Sequence, residues 1–460
     1  MLEHKGRGQF ASNLGFILAA AGSAVGLGNI WKFPYLAGQN GGGAFVLVYL
    51  ILVVVMGFTI MLGEMAVGRA FRKNCVGSYR ELDKRFSFVG GLGIAIGFII
   101  LSYYSVIGGW VGKYIMMYLT GAPFGEDVSG FFKSFVAQGA EPVIWHLIFM
   151  GVTVFIVGKG VSAGIEKASK FMMPALFILL IIVAVRSCTL PGAWEGVKYF
   201  VIPDFSKLDA GVVVAAMGQV FFSLSLGMGI TCTYGSYLSK DTSLERNALI
   251  IPGLDSLAAL ISGFAVIPAV FAVFPGEGAE HVGSGASLMF QTLPLVFDQM
   301  SFGNFFGLLF FILVAFAAVT SSVALLEGTV AYAVEEFKIP RVWAVTILGS
   351  VCALLGVAVS LSQGAMEINA PIWNLVDGVV MEDLLDFLSY LTDNLLLPFS
   401  GLMTCLAIGW VWGVDKVTEE VEQGGKFRFH ARKMWDFSIR FFCPVALVLV
   451  FLNLFGFLRF

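Results

Sequence analysis

Gly22-Ser23-Ala24-Val25-Gly26-Leu27-Gly28-Asn29-Ile30-Trp31-Lys32-Phe33-Pro34 lies inside a long apolar stretch, and an uninterrupted membrane helix would not be built from it. Three glycines, an Asn, a Lys and a Pro within thirteen residues weaken helix propagation and strip several backbone groups of their intrahelical partners. In hydrocarbon such a break survives only around a buried site. Freed carbonyls suit a cation, and the N–H groups opening the next half-helix suit a carboxylate, so paired breaks of this kind build ion-coupled sites at the membrane midplane.

The rest of the chain supplies that membrane context. Of 460 residues, 58% are hydrophobic, 14% aromatic and only 13% charged, which excludes a water-soluble globule and is far too long for a single anchor. Scanning for apolar stretches of roughly 20 residues predicts about eleven spans, near 13–37, 42–68, 88–119, 143–158, 168–187, 211–238, 247–274, 302–334, 342–361, 387–413 and 437–457. Lys and Arg accumulate on the cytoplasmic side of membranes. Lys5 and Arg7 precede span 1, Arg69, Arg72, Lys73, Arg80, Lys84 and Arg85 follow span 2, and Lys416, Lys426, Arg428, Arg432 and Lys433 follow span 10. Segments 275–301 (Glu277, Glu280, Asp298) and 362–383 (Glu367, Asp377, Glu382, Asp383) hold no Lys or Arg. The N-terminus is therefore expected in the cytoplasm, and an odd number of spans leaves Phe460 outside.

Span 1 also follows basic residues as a signal peptide does, but ten further spans already account for membrane targeting. The six cysteines (Cys75, Cys188, Cys232, Cys352, Cys405, Cys443) are scattered without a CxxC, and His4, His146, His281 and His430 share no local cluster. They read as core and surface residues rather than a disulfide or metal framework. The basic residues follow the topology rule instead of forming a nucleic-acid surface, and no nucleophile–base or metal constellation argues for an enzyme.

Span 6 carries a second interruption, Gln219-Val220-Phe221-Phe222-Ser223-Leu224-Ser225-Leu226-Gly227-Met228-Gly229. It occupies in spans 6–10 the place that the first break occupies in spans 1–5, and because five is odd the second set must run in inverted topology. Gly and Ser also serve helix packing, which is the plainer reading of either break alone. The expected organisation is an all-α integral membrane protein of two inverted five-helix repeats with helices 1 and 6 discontinuous. Residues 1–12 are a cytoplasmic segment, 13–187 the first repeat, 188–210 an extracellular connection, 211–413 the second repeat, and 414–460 a cytoplasmic loop with the eleventh helix.

With the span-1 motif stand Gly41-Gly42-Gly43-Ala44-Phe45, Glu64-Met65-Ala66-Val67-Gly68-Arg69, Gln219 to Gly229, and Thr320-Ser321-Ser322, in that order. In these motifs, and along nearly its whole length, the chain resembles the neurotransmitter:sodium symporter family, particularly the eleven-span bacterial amino-acid transporters. The resemblance implies sodium-driven uptake of amino acids through a midplane site, with two sodium ions. Sodium site 2 would comprise the carbonyls of Gly22, Val25 and Ala317 with the hydroxyls of Thr320 and Ser321; the alternative for those hydroxyls is back-bonding to the preceding helical turn. Sodium site 1 would use Ala24, Asn29, Ser223 and, aligning span 7 on Ser262-Gly263, Asp255.

A lone Asp in Leu254-Asp255-Ser256-Leu257-Ala258-Ala259 costs at least about 2.5 kcal/mol to insert, which argues for a role. The sequence departs here from the best-known bacterial pattern, in which an Asn stands at this position. Asp255 is expected to supply the internal negative charge that chloride supplies elsewhere, so chloride is not required, although Tyr49, Gln219 and Ser223 match chloride-contacting positions. A protonatable Asp255 also leaves proton coupling open.

By the same resemblance the substrate pocket is lined by Ser23, Ala24, Leu27, Gly28, Ile100, Tyr104, Phe222, Ser223, Ser225, Met228, Ser321 and Leu325. N–H groups near Leu27 and Gly28 with the Tyr104 hydroxyl would hold a carboxylate. An otherwise apolar wall leaves a charged side chain uncompensated, so the expected substrate is a neutral amino acid from leucine-sized to aromatic. Lys32, usually Arg in the family, is expected to pair with Asp386 as the outer gate. Arg7, Tyr237 and Glu335 match the inner gate, with positive-inside topology and a solvated helix end as the plainer readings of Arg7 and Glu335. Glu64 and Gln219 are expected to brace the site, and Gly164 with Pro174 to mark a loosening start of span 5, where a helix-start proline is the ordinary alternative. A channel is disfavoured by the pocket and two gates, a non-transporting sensor stays open, and the oligomeric state is not legible.

Overall fold

The computed structural model describes residues 9–455 and 457, apart from 122–123, 125–126, 284–287 and 375–377. Arg7, Lys5, Asp377 and the terminal Phe460 lie outside the described residues. Among the described residues nine helices are long and apolar enough to cross a bilayer. These are Gly43–Phe71, Lys84–Thr120, Glu141–Gly158, Val161–Cys188, Leu244–Val273, Gly303–Glu336, Arg341–Leu361, Leu384–Glu422 and Arg432–Leu454, numbered here spans 2 to 5 and 7 to 11. Span 1 is a pair of helices, Asn13–Ala24 and Gly28–Gln39, bent by 53° at the break. Span 6 is Ala210–Ser223, an irregular turn, and Ile230–Gly235. With the bent pair taken as one span, ten crossings are long and apolar enough among the described residues, span 6 is a shorter apolar helix with a break, and both interruptions fall where the glycines are.

Burial runs opposite to that of a water-soluble protein. Ile144, Val152 and Phe155 of span 4, Ile178, Ile181 and Val185 of span 5, Ile347, Val351 and Leu354 of span 9, and Val445 and Val448 of span 11 are all exposed. Asn29, Glu64, Gln219, Asp255 and Glu327 are buried. Such an apolar exterior is stable only against lipid, so the protein is a multi-pass membrane protein. Spans 3 and 8 pack along each other, and the inner half of span 1 lies against spans 5, 7 and 8. All six cysteines are free.

Two boundaries and one element differ most from what the hydropathy implied. Span 5 starts at Val161, seven residues before the expected 168, because Ser162, Glu166 and Lys167 interrupt the apolar run while Val161, Gly164 and Ile165 pack inward. Span 10 continues to Glu422 instead of ending near 413: Val414, Val417 and Val421 form a buried stripe at helical spacing, so nine residues assigned to a loop are helix. The all-α expectation has one exception, an antiparallel hairpin pairing Asn369–Asn374 with Gly378–Asp383 between spans 9 and 10.

Close backbone approach sets the interior. A Cβ at Gly68 of span 2 would run into the Cys232 carbonyl, and one at Gly235 would come within 2.7 Å of the Met65 carbonyl, so span 2 and the inner half of span 6 touch backbone to backbone. Gly68→Leu is expected to cost about 1–3 kcal/mol by overpacking and to lower the thermal midpoint of the purified protein. An unchanged midpoint would show that this contact does not matter.

Candidate functional site

Span 1 stops where its helix runs out of donors. Val25 is extended (φ −70°, ψ 96°), and its N–H closes the inner half on the Ala21 carbonyl. The Asn29 side chain then stitches the break: Oδ1 accepts from the Gly26 N–H at 3.0 Å, while Nδ2 donates to the Asp255 carboxylate at 2.7 Å and to its carbonyl at 3.0 Å. The Leu27 N–H donates to the Tyr104 hydroxyl at 3.2 Å, and the Gly28 carbonyl accepts from Gln219 Nε2 at 2.9 Å. Ser321 Oγ donates to the Ser23 carbonyl at 3.1 Å and reaches the Gly22 carbonyl at 3.4 Å.

Span 6 breaks across Leu224 to Gly229, with Gly227 and Gly229 at φ 75° and 68° and Ser225 also left-handed at φ 52°. Glu64, fully buried, accepts from the Gly227 N–H at 2.9 Å and from the Thr231 hydroxyl. Ser400 of span 10 donates to the Gly227 carbonyl at 2.6 Å. The turn is thus held by a carboxylate from span 2 and a hydroxyl from span 10, as a polar backbone in hydrocarbon requires.

Asp255 is completely buried where the two breaks meet. Its oxygens accept from Asn29 Nδ2, from the Ser223 hydroxyl at 2.9 and 3.0 Å, and from the Tyr49 hydroxyl at 3.1 Å. Among the described residues every one of these donors is neutral. A buried carboxylate with neutral donors alone lacks a countercharge, and its oxygens with the Ser223 hydroxyl and the Asn29 amide oxygen are hard donors of the kind that fits sodium. Asn29, Ser223 and Asp255 are joined by direct hydrogen bonds, with Ala24 at the edge of the same break. Of the second expected sodium set, Thr320 packs on Gly22, where an added Cβ would lie 3.2 Å from the Thr320 Cβ, and Ser321 reaches the Gly22 carbonyl. The Thr320 hydroxyl donates to Phe316 and Ala317 carbonyls at 3.0 and 3.1 Å, the back-bonded arrangement, and Val25 and Ala317 are fully buried.

Between the breaks lies a cavity of about 30 Å³ whose walls contain all twelve expected pocket residues, from Ser23 to Leu325, with Gly26 added. Leu27, Tyr104 and Phe222 also floor a wider vestibule of about 450 Å³ on the side of Lys32. Phe222 stands over Gly28, where a Cβ would come within 3.0 Å of its ring.

The gates differ from expectation in their partners. Lys32 Nζ pairs with Asp393 Oδ2 at 2.8 Å, not with Asp386, and sits 4.2 Å from the Phe222 ring centroid. Asp386 lines the vestibule, but it lies in the first turn of span 10, two turns nearer the outer end than Asp393, and so stands above the ammonium. On the opposite side of the site Tyr237 donates to Glu327 Oε1 at 2.8 Å, and Arg341 holds both Glu327 oxygens while bonding the Val157 carbonyl at 2.8 and 3.1 Å. Glu335 accepts from the Asn74 N–H at 2.6 Å and its side-chain amide at 3.1 Å, tying span 8 to the helix after span 2. Arg7 lies outside the described residues. Gly164 belongs to a wide π-helical turn, Val161–Glu166, and Pro174 to the α-helix that continues it.

Sequence reasoning missed Asp393, Glu327 and Arg341. Glu327 carried the same signal as Asp255, a lone acid in the apolar run Ala324-Leu325-Leu326-Glu327-Gly328. Arg341 stands just before the expected span 9, where a basic residue carries no special signal.

Two broken helices around a buried site, an occluding aromatic and ion pairs on both sides define an ion-coupled membrane carrier. The comparisons agree in detail. The sequence profile of the Sodium:neurotransmitter symporter family matches residues 7–127 and 124–458, and the chain belongs to that family. It is a sodium-dependent symporter and not an enzyme. It is 36% identical over 463 residues to an uncharacterized sodium-dependent transporter of Bacillus subtilis (strain 168), covering 98% of each chain. It is 28% identical to the sodium-dependent serotonin transporter of Drosophila melanogaster, over 95% of this chain and 74% of that one. The crystal structure of MhsT in complex with L-phenylalanine superposes with a TM-score of 0.88 at 42% identity, covering 98% of this chain and all of that one.

The pairing read at the outer gate is testable. Asp393→Asn or Lys32→Met should lower the sodium-driven uptake rate about fivefold, by loss of a partly buried ion pair and a cation–π contact. Asp386→Asn should have the smaller effect; the reverse order would restore Asp386 as the partner.

Proposed function

We propose that the protein imports neutral, mainly hydrophobic or aromatic L-amino acids by alternating access, with two sodium ions and without chloride. The observation that carries this reading is Asp255: a fully buried carboxylate, bonded by neutral donors alone, at the meeting of both helix breaks and beside a largely apolar cavity. A fixed carboxylate beside Asn29 and Ser223 balances the incoming cation and removes the need for a separate anion. Ala259, one turn further along span 7, brings no donor of its own.

The substrate class follows from the walls. The Leu27 and Gly28 N–H groups and the Tyr104 hydroxyl suit an α-carboxylate, and the carbonyls of the break suit an ammonium group. Ile100, Met228 and Leu325 offer no partner to a charged side chain. Phe222 and the flexible Met228 line the cavity and are the side chains that adjust as substrate enters. The L-phenylalanine held by MhsT, whose fold this chain shares, supports an aromatic substrate.

Transport then consists of opening one side while the other stays shut. Outward opening separates Lys32 from Asp393 and swings Phe222 off the cavity. Inward opening separates Tyr237 and Arg341 from Glu327 and loosens the Glu335–Asn74 contact. The half-helices of span 1, hinged at Val25 to Leu27, carry the motion across the site. In this reading the two inverted repeats, 13–187 and 211–413, form the carrier, with the N-terminus in the cytoplasm and the C-terminus outside.

Competition among the twenty amino acids for sodium-driven uptake into proteoliposomes should show displacement by leucine-sized to aromatic neutral residues; displacement by glycine or proline alone would refute the substrate class. Replacing chloride by gluconate should leave uptake unchanged, and Asp255→Asn should cut it at least about tenfold through loss of a charged ligand. Collapse of wild-type uptake in gluconate would refute the role given to Asp255. Counterflow of labelled substrate separates a carrier from a non-transporting sensor, which gives none.

A further inference from the structure

One buried carboxylate takes no part in the site or in either gate described above. Glu166, only 2% exposed, closes the π-helical turn that opens span 5. Its Oε2 accepts the Ala11 N–H at 2.6 Å, and its Oε1 accepts the Ser12 hydroxyl at 3.0 Å and the Lys170 ammonium at 2.6 Å. Ser12 is the N-cap of span 1, its hydroxyl oxygen accepting from the Gly15 N–H at 3.0 Å. The carboxylate of one span therefore caps the positive end of another, where a negative charge is favoured by the unpaired N–H groups and the helix dipole. The fit is close: a Cβ at Gly15 would collide with the Glu166 carboxyl group.

The turn that holds this carboxylate is built to yield. It follows Gly160 at φ 90°, and its first closing bonds are Gly164 N–H and Ile165 N–H to the same Gly160 carbonyl at 3.0 and 3.1 Å. π-helical turns are often found at functional sites, and this one starts from a left-handed glycine. The helix it caps, Asn13–Ala24, is the inner half of span 1 and ends in the carbonyls of the ion site. Asn13 and Asn247 of span 7 exchange amide hydrogen bonds at 2.9 and 3.3 Å, so the same first turn has a second, uncharged fastening.

We propose that Glu166 is a positioning residue for transport: it fastens the start of span 5 to the cap of span 1, so that the inner half of span 1 swings free only when that turn of span 5 lets go. The proposal rests on the alternating-access reading above. It assigns Glu166 to the transition between states and not to substrate binding.

The test uses the full-length protein and two readouts: hydrogen exchange of peptides spanning 11–24 in sodium against potassium, and the sodium concentration that half-saturates uptake. In the wild type, sodium should slow exchange in 11–24. In Glu166→Ala, exchange there in sodium should rise about fivefold, the effect of losing a helix cap, and half-saturation should move to higher sodium, while KM for the amino acid at saturating sodium stays near wild type. Glu166→Gln, which can still accept from Ala11 and Ser12, should fall between. Gly15→Ala keeps Glu166 but displaces its carboxyl, and should raise exchange despite favouring helix. Lys170→Met leaves the cap bonds in place and should do least.

If Glu166→Ala and Gly15→Ala both leave exchange and half-saturation at wild-type values, the proposal is overturned. It is also overturned if Lys170→Met reproduces the whole effect, or if exchange rises equally in every span. Should Glu166→Ala not fold, Gln and Gly15→Ala decide on the same readouts. A wild type whose exchange ignores sodium overturns the alternating-access reading itself, and this proposal with it.

Discussion

A peptide group without a hydrogen-bond partner is far more costly in hydrocarbon than in water, and the whole molecule is organised around two places where that cost is met. Asn29 is the joint. One end of its side chain takes the Gly26 N–H that the broken helix has released, and the other binds Asp255 on span 7. The same side chain therefore completes the backbone and positions the carboxylate that, among the described residues, both breaks reach. Glu64 plays the corresponding part for span 6, replacing lost helical bonds at Gly227 and Thr231. Because the breaks are satisfied from spans 2, 3, 7, 8 and 10, the site exists only while those helices are packed.

Charge inside the protein follows the same economy of partners. Lys32, Asp393, Glu327 and Arg341 are each part-buried or buried and each engaged. An ammonium makes one directed bond to Asp393 and gains the rest of its stabilisation from the face of Phe222, where a guanidinium would have forked across both carboxylate oxygens. The outer closure is accordingly coupled to the aromatic lid: moving Phe222 removes part of what holds Lys32. Among the described residues Asp255 and Glu64 are both held by neutral donors alone, and Asp255 differs in lying where the two breaks meet.

Much of this was legible without coordinates, and the failures are instructive. Both breaks and the carboxylate of span 7 could be read because glycine, proline and a lone acid in an apolar helix are unusual whatever surrounds them, whereas the pocket lining followed from the resemblance of whole motifs. The start of span 5 and the end of span 10 were misjudged for one reason: polar residues within them (Glu166, Glu420) are buried by partners far away in the chain, so hydropathy treated helix as loop. Glu420 bonds Arg69 of span 2, and Glu166 caps span 1. The outer ion pair was misassigned by two helical turns because Asp386 and Asp393 present the same chemistry on one helix. Only the depth of Lys32 within the bundle separates them.

The sequence by itself determined that this is a bundle of membrane helices with two deliberate interruptions, since composition and backbone propensity act locally and leave no other low-energy solution in a bilayer. It also determined that an acid lies at the level of those interruptions. Which groups meet across the bundle was decided by tertiary structure alone: Asn29 with Asp255, Lys32 with Asp393, Tyr237 and Arg341 with Glu327, Glu166 with the cap of span 1. These pairs are separated by up to 361 residues in the chain. Their distances depend on how whole helices tilt and interlock, a property of the packed assembly that no local preference encodes.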